Sequence, residues 1–336
     1  MLRQAFYGLI LSMICYLLFH GYTKLGLNYH FKKHYPGECR QVTGLDYGSE
    51  HMEVTQDGLA FITSGVDFPC TSEKYHSFIR EKNIRGTIFL YDFKNPKLGA
   101  SALRFQPSKT FDPATFQPHG ISLLEDKAKG EHLLYVVNHV RHGKDRVEKF
   151  KFIPRVNELQ HLRFFNDSKF LILNDVALIG EDKFYASNYL FFESHFLSFL
   201  EHVLPLPLGG LLLVDGNHVT EVVKSLHGPN GVILSKDKRH LYVAIPMEGT
   251  MHVYETQKDN GLKLVQDVPE VIRLPLSNGL VDHEKITELF YDHGDLISAS
   301  SVAHIHSGQL LIGSVIDKLV VCDLFGKVVG KKAGKV

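Results

Sequence analysis

Two histidines stand where proton chemistry could be done. His119 lies in Phe116-Gln117-Pro118-His119-Gly120-Ile121-Ser122, and His139, 20 residues on, ends Val136-Val137-Asn138-His139. Imidazole titrates near neutral pH, so two rings that meet could take a proton from water and orient or discharge one another. Oxygen donors recur at Glu50, Asn174-Asp175, Asn230 and Asp282. Hard oxygens in such numbers suit calcium, which takes six to eight of them at forgiving geometry. Singly, each Asn reads as a turn residue and each of the 20 histidines as structural or exposed. Together, bases and oxygens suggest a calcium-dependent hydrolase.

The elements that must bring these residues together are strands. From Cys39 onward, short apolar runs alternate with Gly, Asp, Asn and Lys, as in Leu59-Ala60-Phe61-Ile62, Leu133 to Val137, Val147 to Phe152 and Leu241 to Ile245. That pattern predicts an all-β chain. A weak repeat overlies it: His119, Asn174, Asn230 and Asp282 open successive units 55, 56 and 52 residues apart, and Glu50 precedes His119 by 69. A period near fifty residues with about four strands each is the signature of propeller blades, roughly six in this length. The residue opening each innermost strand then lies near the central channel, so Glu50, His119, Asn174, Asn230 and Asp282 would converge on one axis. Tyr189 to Leu204 breaks the pattern. Phe192, Phe196, Phe199, Leu200 and Val203 fall at helical spacing, which predicts an amphipathic lid or membrane-contact helix near the channel mouth, or a helix packed on its own propeller.

Composition bounds the rest. The chain has 336 residues, 44% of them apolar, enough for one large core. Lys+Arg and Asp+Glu balance at 37 each, which removes a general basic field for nucleic acid. Ala5 to Phe19 is an apolar run of 15 residues, read as a signal peptide or an uncleaved signal anchor over residues 1–24, with a single propeller domain over 25–336. Either reading sends the body into the secretory pathway, membrane-anchored or secreted. Of the four cysteines, Cys15 lies in the apolar run, Cys39 and Cys322 at the two ends of the body, and Cys70 between. An oxidising lumen permits disulfides there, and spacing alone leaves the pairing open. Asn166-Asp167-Ser168 is a glycosylation sequon that needs a surface loop.

Across Gly48-Ser49-Glu50, Asp57 to Gly65, Phe116 to Ser122, Val136 to His139, Leu173-Asn174-Asp175, Asn230-Gly231 and Gln309 to Gly313, the sequence resembles the paraoxonase/arylesterase family, from about Cys39 to Leu324. The resemblance implies a six-bladed propeller closed by its termini and by a disulfide at the positions of Cys39 and Cys322. It implies a catalytic calcium held by Glu50, Asn174, Asn230 and Asp282, with His283 where the family has asparagine. A second, structural calcium would involve Asp175, the carbonyl of Ile121 and a position where His51 replaces an aspartate. His119 and His139 match the family's histidine dyad. Departures are plain: each calcium set has exchanged an oxygen ligand for imidazole, and Tyr291 to Ser301 is shortened and lacks a cysteine some members carry. The resemblance therefore implies hydrolysis of aryl esters and lactones, with a small-molecule substrate and a membrane or lipoprotein surface as partners. The rival expectation is a membrane-anchored, non-enzymatic relative acting as an assembly factor or chaperone for membrane proteins. A sugar-lactone hydrolase of a related propeller family fits the Phe116 to Ser122 segment less well.

Overall fold

Hairpins gather the apolar runs into sheets of four, and both faces of most strands end up covered. A computed structural model describes residues 2–24, 32–68, 71–204, 206–269, 276–277, 280–281 and 289–324. A helix α1 (Leu2–Lys24) precedes a short strand β1 (Cys39–Gln41). The first full sheet holds β2 (Met52–Val54), β3 (Leu59–Ser64), β4 (Thr87–Asp92) and β5 (Ala100–Ala102), with α2 (Glu73–Glu81) inserted before β4. The second holds β6 (Arg104–Phe105), β7 (Pro118–Asp126), β8 (Glu131–Asn138), β9 (Arg146–Ile153) and β10 (Glu158–Phe165), in the order β7-β8-β9-β10-β6.

The third runs through β11 (Ile172–Gly180), β12 (Lys183–Leu190), β13 (Gly209–Asp215) and β14 (His218–Leu226), with α3 (His195–Val203) between β12 and β13. The fourth holds β15 (Val232–Leu234), β16 (His240–Ile245), β17 (Thr250–Thr256) and β18 (Leu262–Pro269). After the two-residue strands β19 (Leu276–Ser277) and β20 (Leu280–Val281) comes the last sheet, β21 (Ser300–His306), β22 (Gln309–Ser314) and β23 (Val320–Asp323), which β1 joins at the edge.

The opening strands sit side by side: β2 lies against β7 and β21, β7 against β11, and β11 against β15. The core fills the wedges between sheets. Tyr135 and Val137 of β8 meet Phe184 and Leu212 on one side, while Leu134 and Val136, pointing the opposite way, meet Phe61 and Ile88. With neighbours on both faces, a strand has no reason to alternate, which is why Leu133 to Val137 is a continuous apolar run. Each fully buried large side chain of this kind contributes about 1.5–3 kcal/mol over exposure.

Two expectations are corrected. The described residues form five sheets of four or five strands, not six; where the sixth belongs, only the β19–β20 pair is present. Dividing length by period counts residues rather than paired strands, and residues 289–299, which precede β21, carry no strand; the one β-bridge among them is His34 to Tyr291. The helix predicted over Tyr189 to Leu204 is shorter, because Tyr189 and Leu190 finish β12 in register with the sheet. Its polarity is also reversed. Ser198 and Glu201 are buried, whereas Phe196, Phe199 and Val203 are exposed. Glu201 turns inward because its carboxylate accepts the main-chain N–H groups of Phe191 and Phe192 that β12 leaves unpaired.

At the N-terminus, α1 exposes Phe6, Leu9, Leu11, Met13 and Leu18. No helix among the described residues is long and apolar enough to cross a membrane. Cys39 and Cys322 face each other across β1 and β23 and form a disulfide. Cys70 lies outside the described residues. Asn166 is exposed in the connection between β10 and β11.

Candidate functional site

β7 and β8 begin and end at the same level of the second sheet, so the start of one strand and the end of the other deliver their histidines to one point. Nδ1 of His119 lies 2.8 Å from Nε2 of His139, and both residues are buried. The far side of His139 is held by a residue that sequence reasoning missed: its Nδ1 lies 2.8 Å from Oδ2 of Asp145, which also accepts the Leu173 N–H at 2.8 Å. Burial pushes the His139 imidazole down, and the charge and hydrogen bond of Asp145 only partly oppose it, so the ring sits below the usual histidine range. Six residues after His139, beyond a Gly143 turn, nothing but that spacing in the sequence marks Asp145. Phe68 was missed as well. Its ring meets both imidazoles edge-on, with centroids 5.1 Å from His119 and 4.8 Å from His139, and shields the pair from water.

On the channel side, Nε2 of His119 lies 3.3 Å from Oε1 of Glu50 and 3.3 Å from Nδ2 of Asn174. Glu50 enters from the segment before β2 and Asn174 from β11, so three neighbouring sheets meet here. Burial would raise the Glu50 carboxyl, but the hydrogen bond and charge of His119 and the charge of His51 outweigh it and keep it below the ordinary range. The other oxygen, Oε2, is buried with no hydrogen-bond partner. An orphaned buried carboxylate oxygen is costly unless a cation takes it up. With Nδ2 of Asn174 turned to His119, its Oδ1 is left for the same use. Asn230 lies just before β15; its N–H bonds the Ala244 carbonyl, its carbonyl accepts Ser187 Oγ at 2.7 Å, and its Oδ1 accepts the Gly231 N–H at 2.9 Å, with a second lone pair free among the described residues. These donors, all oxygens, fit calcium. Asp282 and His283 lie outside the described residues.

The second predicted set is brought together but already partnered. Asp175 accepts the N–H of Val176 on Oδ1 at 2.8 Å and that of Val232 on Oδ2 at 2.9 Å. Nδ1 of His51 lies 3.3 Å from Asp175 Oδ1 and accepts the Ile121 N–H at 3.0 Å. The imidazole thus occupies the position of the expected ligand, held to β7 through the Ile121 N–H and packed against the Asp175 carboxylate. This close approach needs Gly120, where a Cβ would fall 2.3 Å from Asp175 Oδ1. Elsewhere, Asp57, Glu125 and His132 place three ligand atoms within 4.8 Å of one another, away from the dyad.

A cavity of about 700 Å³ is lined by apolar residues including Phe290, Ile297, Val302 and Ile312, together with Ser301. Ser301 Oγ donates to the Glu50 carbonyl at 2.6 Å, which places this cavity beside the oxygen cluster.

The chain has named relatives. The arylesterase family profile matches residues 30–269 and 266–324. Serum paraoxonase/arylesterase 2 of Gallus gallus is 33% identical over 325 residues, covering 85% of this chain and 88% of that protein. The Homo sapiens protein of the same name is 31% identical over 325 residues, 85% of this chain and 88% of its own. Among solved structures, a putative gluconolactonase superposes with a TM-score of 0.51 at 14% identity, covering 85% of this chain and 92% of its own, which shows a shared fold alone. With the profile spanning most of the sequence, the chain belongs to the arylesterase family of carboxylic ester hydrolases.

Proposed function

We propose that the protein hydrolyses aryl esters and lactones, with one calcium ion held by Glu50, Asn174, Asn230 and Asp282 and with His119 as the base. The observation that carries this reading is the buried, unpartnered Oε2 of Glu50 beside a ring nitrogen that is itself linked to a second imidazole. When bound, the ion would supply positive charge to polarise a carbonyl and oppose the oxyanion that follows. Nε2 of His119 takes a proton from the attacking water as the water oxygen bonds to the carbonyl carbon. The same proton goes to the leaving oxygen when the carbon–oxygen bond breaks. His139 holds the His119 ring in place through the 2.8 Å hydrogen bond. Phe68 keeps bulk water off both rings, and the apolar cavity beside Glu50 suits the hydrocarbon part of a small ester or lactone.

His283 contributes a poor calcium ligand and is read as a neighbour displaced by water. His51, Ile121 and Asp175 are read as protein contacts in place of a second ion, because both Asp175 oxygens already accept main-chain N–H groups. Ring closure through β1, which joins β23 at the edge of the last sheet, completes the proposal for the fold. The disulfide and the exposed sequon at Asn166 favour the secretory pathway, with α1 as signal or anchor. The outward Phe196, Phe199 and Val203 of α3 suit a membrane or lipoprotein surface, and Tyr189, bonded to His202 of that helix, reaches Phe68.

The test is turnover of phenyl acetate and a simple aliphatic lactone by the purified protein, with calcium and after chelation, beside His119→Ala and Asp282→Ala. The expected result is chelator-sensitive hydrolysis that falls by about 10²–10⁴-fold in His119→Ala and is lost in Asp282→Ala. Folded, calcium-replete protein without turnover would overturn the proposal in favour of a non-catalytic assembly role.

A further inference from the structure

Asp145 has a chemical consequence that reaches the far nitrogen of His119. It is 6% exposed, on the turn leading into β9, and its Oδ2 receives two hydrogen bonds, from the Leu173 N–H and from His139 Nδ1, both at 2.8 Å. An ionised carboxylate only accepts, so Nδ1 of His139 must carry a hydrogen. A neutral imidazole has one N–H, which makes Nε2 of His139 an acceptor. Its partner at 2.8 Å, Nδ1 of His119, must then donate. The hydrogens of both rings are thereby ordered in one direction. The single ring atom left to gain or lose a proton is Nε2 of His119: bare, it accepts from Nδ2 of Asn174 at 3.3 Å, and once protonated it donates to Oε1 of Glu50 at 3.3 Å.

Without Asp145, His139 would revert to the tautomer usual in water, with hydrogen on Nε2. That hydrogen would point at His119 Nδ1 and turn it into an acceptor, moving the His119 hydrogen onto Nε2 and blocking the base. The Leu173 N–H adds a second link, since Leu173 directly precedes Asn174 on β11. One carboxylate oxygen therefore holds the dyad in register with the strand that carries an oxygen ligand.

We propose that Asp145 is a positioning residue that sets the tautomers of His139 and His119 and so selects Nε2 of His119 as the proton acceptor. Its kinetic consequence rests on the hydrolase reading; the tautomer assignment does not.

Nitrogen-15 spectra of histidine-labelled protein test it, with His119→Gln and His139→Gln used to assign the two rings. In the wild type both rings should be protonated on Nδ1, and His139 should be bare on Nε2. In Asp145→Ala, with folding checked by circular dichroism, His139 should switch to the Nε2–H form. Asp145→Asn should keep the native pattern, because the Leu173 N–H selects the amide oxygen for the shared position. Hydrolysis should follow the spectra: kcat falls by about 10²-fold or more in Asp145→Ala with KM nearly unchanged, and is largely restored in Asp145→Asn. A wild-type His139 protonated on Nε2, or an Asp145→Ala spectrum unchanged from wild type, would overturn the proposal. If Asp145→Ala does not fold, the wild-type and Asp145→Asn spectra still decide it. If the wild type turns over no ester, the hydrolase reading falls while the spectra still judge Asp145.

Discussion

Glu50 shows how one atom can carry a functional argument. A carboxylate oxygen buried without a partner is unfavourable by about 1–3 kcal/mol or more, and a bound cation would remove that cost. Calcium should therefore raise the melting temperature, by an amount equivalent to about 2.7 kcal/mol at a hundred times the dissociation constant. Glu50→Gln should lose most of this calcium-dependent rise, as read by thermal unfolding with and without chelator. Equal responses in the two proteins would move the ion elsewhere. Gly120 is decisive for a different reason. A Cβ there would meet the Asn174 carbonyl at 2.5 Å as well as the Asp175 carboxylate, and neither backbone nor tethered carboxylate can retreat. Gly120→Ala should cost at least about 1–3 kcal/mol, the usual range for overpacking, measured as a lower urea midpoint at unchanged slope.

At the scale of elements, charge as well as apolar packing ties one blade to the next. Lys149 on β9 is 4% exposed, and its Nζ donates to Asp182 at 2.6 Å and Glu181 at 2.9 Å, both in the turn between β11 and β12. Tyr135 of β8 donates to the same Asp182 and accepts its N–H. Burial raises the Asp182 carboxyl, but these hydrogen bonds and the charges of Lys149 and Arg163 outweigh it and leave it below its usual value. A depressed carboxylate stabilises the fold at pH values above its unfolded pKa, about 3.9, and loses that contribution as the pH falls through the folded value. Asp182→Asn should thus lower stability by about 1–3 kcal/mol at pH 7, and the gap should close under acid, in denaturant titrations across that range. The outer strands gain less from such ties. β14 is mostly exposed, with few buried positions, and so has no apolar run to announce it.

For the whole molecule, the longest constraint is the disulfide between Cys39 and Cys322, 283 residues apart. A covalent loop of that length restricts the unfolded chain strongly, with roughly 5 kcal/mol as the upper end of the chain-entropy estimate. Replacing both cysteines by alanine should lower the melting temperature markedly, and reduction of the native protein should do the same, while hydrolysis at low temperature persists. If the double variant melted with the wild type, β1 and β23 would be held by their strand pairing alone.

The sequence by itself determined the all-β class, most inner strands, and the meeting of His119, Glu50 and Asn174. These follow from hydrophobic runs and a regular period, which are local and countable. Tertiary structure alone decided what lies beside them. Asp145 reaches His139 through a turn whose path no periodicity encodes, and Phe68 covers the dyad from the loop after β3. The outward apolar face of α3 depended on where Glu201 finds unpaired N–H groups, a matter of β12's end rather than of helical spacing. The blade count depended on which residues pair, and pairing is a property of strands in contact, not of chain length.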